Sequence, residues 1–202
     1  NINTNPVVCR NAELQSSGTI NWLSTTRVFD VYGNLDIASG FTFNNATTGV
    51  LNIRGATDQS ITIGQAFPGN VTINNTGAAG NDDVLITDDS TISGNLTISN
   101  GVVSVGDGVT LRVDGNLTVQ TGGELVIEPG GTLMLANGSV LTVNVGGTLT
   151  MIGSTTKTAT MTSINGASTY TANINGTIAA RYYTFSRMGT TGISINASAT
   201  ID

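Results

Sequence analysis

From Leu117 to Met151 the chain alternates apolar and polar residues in short bursts, each closed by a small residue. Leu117, Leu125, Leu133, Leu141 and Leu149 recur every 8 residues. Val119, Ile127, Leu135, Val143 and Met151 follow them two positions later at the same step. Gly115, Gly123, Gly131 and Gly147 punctuate the pattern, with Ser139 in the remaining slot. An apolar-polar-apolar triplet is the signature of a short, half-buried strand, and the glycine marks a corner where the chain changes direction.

A longer period lies over the short one. Gly69-Asn70-Val71-Thr72-Ile73, Gly94-Asn95-Leu96-Thr97-Ile98 and Gly115-Asn116-Leu117-Thr118-Val119 are near copies, and Ser139-Val140-Leu141-Thr142-Val143 is a fourth, 24 residues after the third. Three short units make one long one, so a turn of chain has three sides. The expected fold is all-β: a three-sided right-handed parallel β-helix (β-solenoid) of about 24 residues per coil, with roughly eight coils stacked about 4.8 Å apart. An antiparallel sandwich would need hairpin turns and leaves the threefold relation of the two periods without a cause. In the solenoid, Thr72, Thr97, Thr118 and Thr142 form an outward ladder, and Asn34, Asn70, Asn95 and Asn116 stack amide on amide at a corner. Gly33-Asn34-Leu35-Asp36-Ile37 reads as an earlier copy of the same strand, which implies insertions in the N-terminal coils.

Composition narrows the function. The 202 residues carry 7 Lys and Arg against 13 Asp and Glu, a net charge of −6, with no histidine and 1 cysteine. An acidic chain repels phosphate backbones and anionic lipid, so no nucleic-acid partner is expected. Without histidine there is no histidine-based triad or His-ligated zinc site. A single cysteine, Cys9, excludes an internal disulfide. No apolar run reaches the length of a membrane helix, so no membrane insertion is expected. Gly, Thr, Asn and Ser make up about half of the chain, far above an ordinary globular mix. The Asn-x-Thr/Ser triplets at Asn45, Asn70, Asn74, Asn95, Asn116, Asn137, Asn175 and Asn196 largely follow from the strand motif itself.

The Gly-Asn-Leu-Thr-Val and Gly-Gly-Thr-Leu repeats resemble the right-handed parallel β-helices of pectin-lyase-like type. They are most similar to those of large bacterial surface and secreted proteins, including autotransporter passengers and haemagglutinin-like adhesins. The resemblance covers about Gly33 to Met151. It implies a secreted or cell-surface structural or adhesive segment; the strand-like rhythm at Ala199-Thr200-Ile201 adds the expectation of stacking on further coils of the same protein or on other copies of itself, end to end into a filament. Glycans or the surface of a host or neighbouring cell are the further partners implied.

Residues 1–26 lack the period and read as an N-terminal cap or irregular lead-in, with 27–202 as the solenoid, continuing or contacting another chain beyond 202. Four aspartates within Gly80–Asp89, namely Asp82, Asp83, Asp88 and Asp89, are the candidate metal ligands. Parallel β-helices that cleave acidic polysaccharides cluster aspartates as acid and base or around Ca²⁺, and Arg54 or Arg112 could supply the basic residue. The histidine and Arg-x-Lys of the polygalacturonase-like members are missing. Gly77 to Leu85 also matches the calcium-binding nonapeptide apart from Ala78, but in one copy, where that motif works in tandem. The alternative for all four aspartates is a solvated turn. No catalytic residue and no cofactor other than Ca²⁺ is expected; the competing functions are a polysaccharide-binding or polysaccharide-degrading β-helix and a calcium-stabilised secreted domain. The threonine ladder also raises ice binding, although ordinary stacking of β-branched residues accounts for it. Tyr182, Tyr183 and Phe185, between Arg181 and Arg187, form a candidate ligand or partner patch.

Overall fold

The computed structural model describes residues 6–21, 27–44 and 49–202; Trp22 and the triplet at Asn45 fall outside them. No helix is found among the described residues, so none is long and apolar enough to cross a membrane. The strands wind as successive coils. The first holds β1 (Val7–Cys9), β2 (Ala12–Leu14) and β3 (Thr19–Asn21), and the second β4 (Val28–Val31), β5 (Leu35–Ile37) and β6 (Thr42–Asn44). The third has β7 (Val50–Gly55) and β8 (Gln59–Ile63), and the fourth β9 (Asn70–Asn75), β10 (Asp83–Ile86) and β11 (Ser90–Ile92). In the fifth, the long β12 (Leu96–Val105) rounds a corner before β13 (Thr110–Val113). Then come β14 (Leu117–Val119), β15 (Gly123–Ile127) and β16 (Thr132–Leu135), followed by β17 (Val140–Val143), β18 (Thr148–Ile152) and β19 (Ala159–Ser163). The last are β20 (Tyr170–Ile174), β21 (Thr177–Arg181), β22 (Tyr183–Phe185), β23 (Met188–Ile195) and β24 (Thr200–Ile201).

On the first two sides each strand pairs in parallel with the strand one coil on, giving a β-solenoid of about 8 turns spaced about 23 residues apart. The leucines at the short step land on successive sides. Leu117 lies in β14 on the first side, Leu125 in β15 on the second and Leu133 in β16 on the third; Leu141 in β17 returns directly over Leu117. All of them are fully buried, as are Val119, Ile127, Leu135, Val143 and Met151. The core is therefore a set of apolar columns running along the axis, and the eight-residue spacing is the sequence record of one side. On the first side, the step from Leu51 to Val71 is the shortest and that from Leu141 to Ala172 the longest. The extra residues of the long step form two corner loops, 153–158 and 164–169. On the third side of the third coil, pairing shrinks to the single bridge between Phe67 and Ile92, because Pro68 has no N–H to extend a ladder. Edge-on contacts of Phe43 with Phe41 and Phe67 fill that side instead.

Three expectations change. The described part of 1–26 takes part in the ladders: β1, β2 and β3 pair in register with β4, β5 and β6, and among the described residues pairing is present from Val7. The weak period there reflects a first coil that is only half-buried, where inward positions need not be large and apolar. Leu35 is not an early member of the Val71–Leu96–Leu117–Leu141 column. It pairs with Ile61 on the second side, whereas Leu51 occupies the Val71 column. All sides share one motif, so similarity between two strands does not tell which side either is on.

The corner asparagines are the third change. The Asn70 Oδ1 accepts the backbone N–H of Asn95 (2.9 Å), the Asn95 Oδ1 that of Asn116 (2.8 Å), and the Asn116 Oδ1 that of Val140 (3.0 Å). Each carboxamide thus binds the main chain of the next coil rather than the neighbouring amide. Asn11 and Asn34 do the same towards Asn34 and Ser60.

Candidate functional site

The outward threonine ladder is present: Thr72, Thr97, Thr118 and Thr142 are consecutive register partners on the first side. Asn52 and Asp30 continue that column towards the N-terminal coils, and Asn173 and Ser194 the other way. It is a mixed polar column with threonine in its middle. Near its N-terminal end, one coil after Val8, Asp30 is 8% exposed and accepts from Asn52 Nδ2 (2.6 Å) and Arg54 Nε (3.2 Å).

The four candidate aspartates divide between two corners of the fourth coil, one before β10 and one after it. Each of the three with a carboxylate hydrogen bond satisfies main chain. The Asp82 Oδ1 accepts from Gly80 N–H (3.1 Å), closing the loop before β10. The Asp88 Oδ1 accepts from Asp89 N–H (2.8 Å), and the Asp89 Oδ1 from Thr110 N–H one coil on (2.8 Å). Asp89 is the acidic equivalent of the corner asparagines. Asp58 plays that part beneath Asp83, whose N–H it accepts at 3.2 Å. Among the described residues, no three acidic or cysteine side chains lie close enough together to hold a metal ion. The two candidate basic residues face their own carboxylates: Arg54 pairs with Asp30, and Arg112 with Asp114 at 2.6 Å.

Asp83 lies on the second side in a distinctly acidic setting. Its partial burial comes first, then the negative charges of Asp58, Asp82 and Glu124; together they raise its carboxyl above the ordinary 3.8. A raised carboxyl means that the folded chain holds its proton more tightly than the unfolded chain does. The penalty is therefore absent at low pH and appears as pH rises through the folded-state value. Asp83→Asn should raise the melting temperature slightly at pH 7, and the gain should disappear once the pH is below 3.8. Thermal melts of both chains across that range check this; a gain that persists in acid would reject the electrostatic account.

The aromatic stretch turns two rings to the surface, those of Tyr182 and Tyr183. Tyr183 and Phe185 pair in register with Ala159 and Met161, their rings 5.1 Å apart; Phe185 packs against the core, while Tyr183 is 48% exposed. Tyr182 stands apart at the corner, in the left-handed region (φ 51°), with Arg181 5.2 Å from its ring centre. Shallow grooves lie on the solenoid surface. One, of about 770 Å³, runs between Arg10, Tyr32 and Thr57 over Gly33 and Gly55. Another, of about 500 Å³, is bordered by Asp58, Asp83, Leu85 and Glu128. Cys9 is half-buried, and burial followed by the charge of Asp30 pushes its thiol up, away from the reactive thiolate.

Sequence reading missed a buried polar cluster at the corner between the first and second sides. Asn75 is fully buried; its Nδ2 donates to Thr57 O (2.7 Å) and Gln59 Oε1 (3.2 Å), and its Oδ1 accepts from Gly77 N–H (2.9 Å). The Gln59 Nε2 donates to Gly33 O (2.5 Å). The signal was available: alternation through Val71, Ile73 and Asn75, and through Gln59, Ile61 and Ile63, assigns both amides inward.

Fold and corners together define a parallel β-solenoid in which corner asparagines and aspartates bond the main chain of the next coil. No family model, no curated protein and no solved structure matches the chain.

Proposed function

We propose that the chain is a structural or adhesive β-solenoid segment of a secreted or cell-surface bacterial protein, acting without catalysis and without a cofactor. It serves as a stiff rod that spaces or displays other regions and stacks on further coils of the same protein or on other copies of itself, end to end into a filament. One observation carries this reading: carboxamides and carboxylates that could form a reactive site are spent on coil-to-coil hydrogen bonds, Asp58 and Asp89 among them. Parallel ladders through every coil supply stiffness.

Electron microscopy of the purified chain over a concentration series, with and without Ca²⁺, tests the proposal. The expected result is rods that lengthen with concentration in either condition, and a melting temperature unchanged by Ca²⁺. Short rods of one length at every concentration would remove the filament. A rise of several degrees on adding Ca²⁺ would favour the calcium-stabilised domain instead. The groove beside Tyr32 and Arg10 favours a second reading, polysaccharide binding, since an aromatic face and a guanidinium suit a sugar ring and its polar substituents. Retention on immobilised polysaccharides that is lost in Tyr32→Ala would establish it.

A further inference from the structure

Asn-Gly pairs occur at Asn100, Asn137, Asn165 and Asn175. Such a pair can cyclise: the glycine nitrogen attacks the asparagine side-chain carbonyl, which glycine permits because no Cβ crowds the approach. Three of the four glycine N–H groups are held by main-chain carbonyls. Gly101 donates to Gly122 O (3.3 Å), Gly138 to Thr169 O (2.8 Å) and Gly176 to Val143 O (3.1 Å). A nitrogen held in this way keeps its proton and its plane, and it does not attack.

Asn165-Gly166 differs in both reacting partners. It lies in the loop 164–169 between β19 and β20, with 165–167 exposed, and among the described residues the Gly166 N–H has no carbonyl partner. The Asn165 Oδ1 accepts three hydrogen bonds, each at 3.0 Å: from Ala167 N–H, Ser168 N–H and the Ser168 hydroxyl. Those donors surround the oxygen that becomes negative when a nucleophile adds to the carboxamide carbon. This is the arrangement that stabilises tetrahedral intermediates elsewhere.

We infer that Asn165 is a self-modification site, converted to aspartate and isoaspartate through a cyclic imide with Gly166. Solvent base removes the Gly166 N–H proton, and the nitrogen bonds to Cγ of Asn165 while the Oδ1 takes the negative charge. Collapse of that intermediate breaks the Cγ–Nδ2 bond, and the nitrogen leaves as ammonia after taking a proton from water. Water then opens the imide at either carbonyl, so the net reaction consumes one water and releases one ammonia. The product carries one more negative charge. The isoaspartate form also lengthens the main chain beside the buried contact of Ser163 Oγ with Ser168 O (2.6 Å).

Mass-spectrometric peptide mapping of the folded full chain, incubated at mildly alkaline pH, tests this. Asn165 should convert at least about tenfold faster than Asn100, Asn137 and Asn175, and the four rates should converge in denaturant. A Cβ on Gly166 meets nothing within 4 Å, so Gly166→Ala keeps the fold and should slow conversion about tenfold by crowding the attack. Ser168→Ala removes one donor to the oxyanion and should slow it several-fold, with the melting temperature of each variant measured alongside. Equal rates at the four sites in the folded chain, or an undiminished rate in Gly166→Ala, would overturn the assignment.

Discussion

Leu125→Ala should destabilise the solenoid by about 3–5 kcal/mol, the range for emptying a leucine site that cannot collapse. Leu125 is fully buried in a column with Val103, Leu149 and Ile178, each on a different coil. The ladders fix the spacing of those coils, so neighbouring side chains cannot close the hole by moving along the axis. A second consequence separates this fold from a globular core. In a stack whose coils touch only their neighbours, a weak central joint uncouples the two halves. Urea unfolding followed by circular dichroism should therefore show a lower midpoint and a shallower transition. Leu14→Ala, at a half-buried position in the first coil, should cost far less and leave the slope unchanged. Equal costs at the two sites would refute the column description.

Asn75→Ala should cost about 3 kcal/mol although it removes no apolar surface. Truncation leaves Thr57 O, Gln59 Oε1 and Gly77 N–H without the partner that now satisfies all three inside the molecule. Asn75→Asp is the sharper probe. A carboxylate can accept from Gly77 but cannot donate to the two oxygens facing it, and its charge is buried. Its cost should be largest at neutral pH and smaller in acid, where the protonated form regains one donor. Equilibrium unfolding at two pH values reads this directly, and a pH-independent cost would place water, not Gln59, at the far side of the amide.

Much of this architecture could be read from residue order because the solenoid repeats one simple rule. The step from Leu117 to Leu125 to Leu133 is one side each, and the return at Leu141 closes a coil. The same uniformity hides which side a lone motif occupies, as Leu35 shows by sitting on the second side. Hydrogen-bond direction at the corners was also hidden. Asn70 and Asn95 are compatible with amide stacking or with binding the next main chain, and only the offset between coils decides. The aspartates were harder still: Asp89 is spaced like a ligand yet does the work of a corner asparagine. At the aromatic stretch, residue order did not separate Phe185, which packs against the core, from Tyr182 and Tyr183, which stay exposed.

The corner hydrogen bonds also give the rod a sense of direction. At Asn11, Asn34, Asp58, Asn70, Asp89, Asn95, Asn116 and Asn137 the side-chain oxygen always belongs to the earlier coil and the N–H to the later one. The joint works like a one-way coupling, with hooks on one face of each coil and eyes on the other. A coil arriving on the later side must offer free amide hydrogens, and one arriving on the earlier side must offer corner oxygens. Two such rods placed nose to nose would set like groups against like. Any growth of this lattice is polar, and its two growing tips would be expected to extend at different rates.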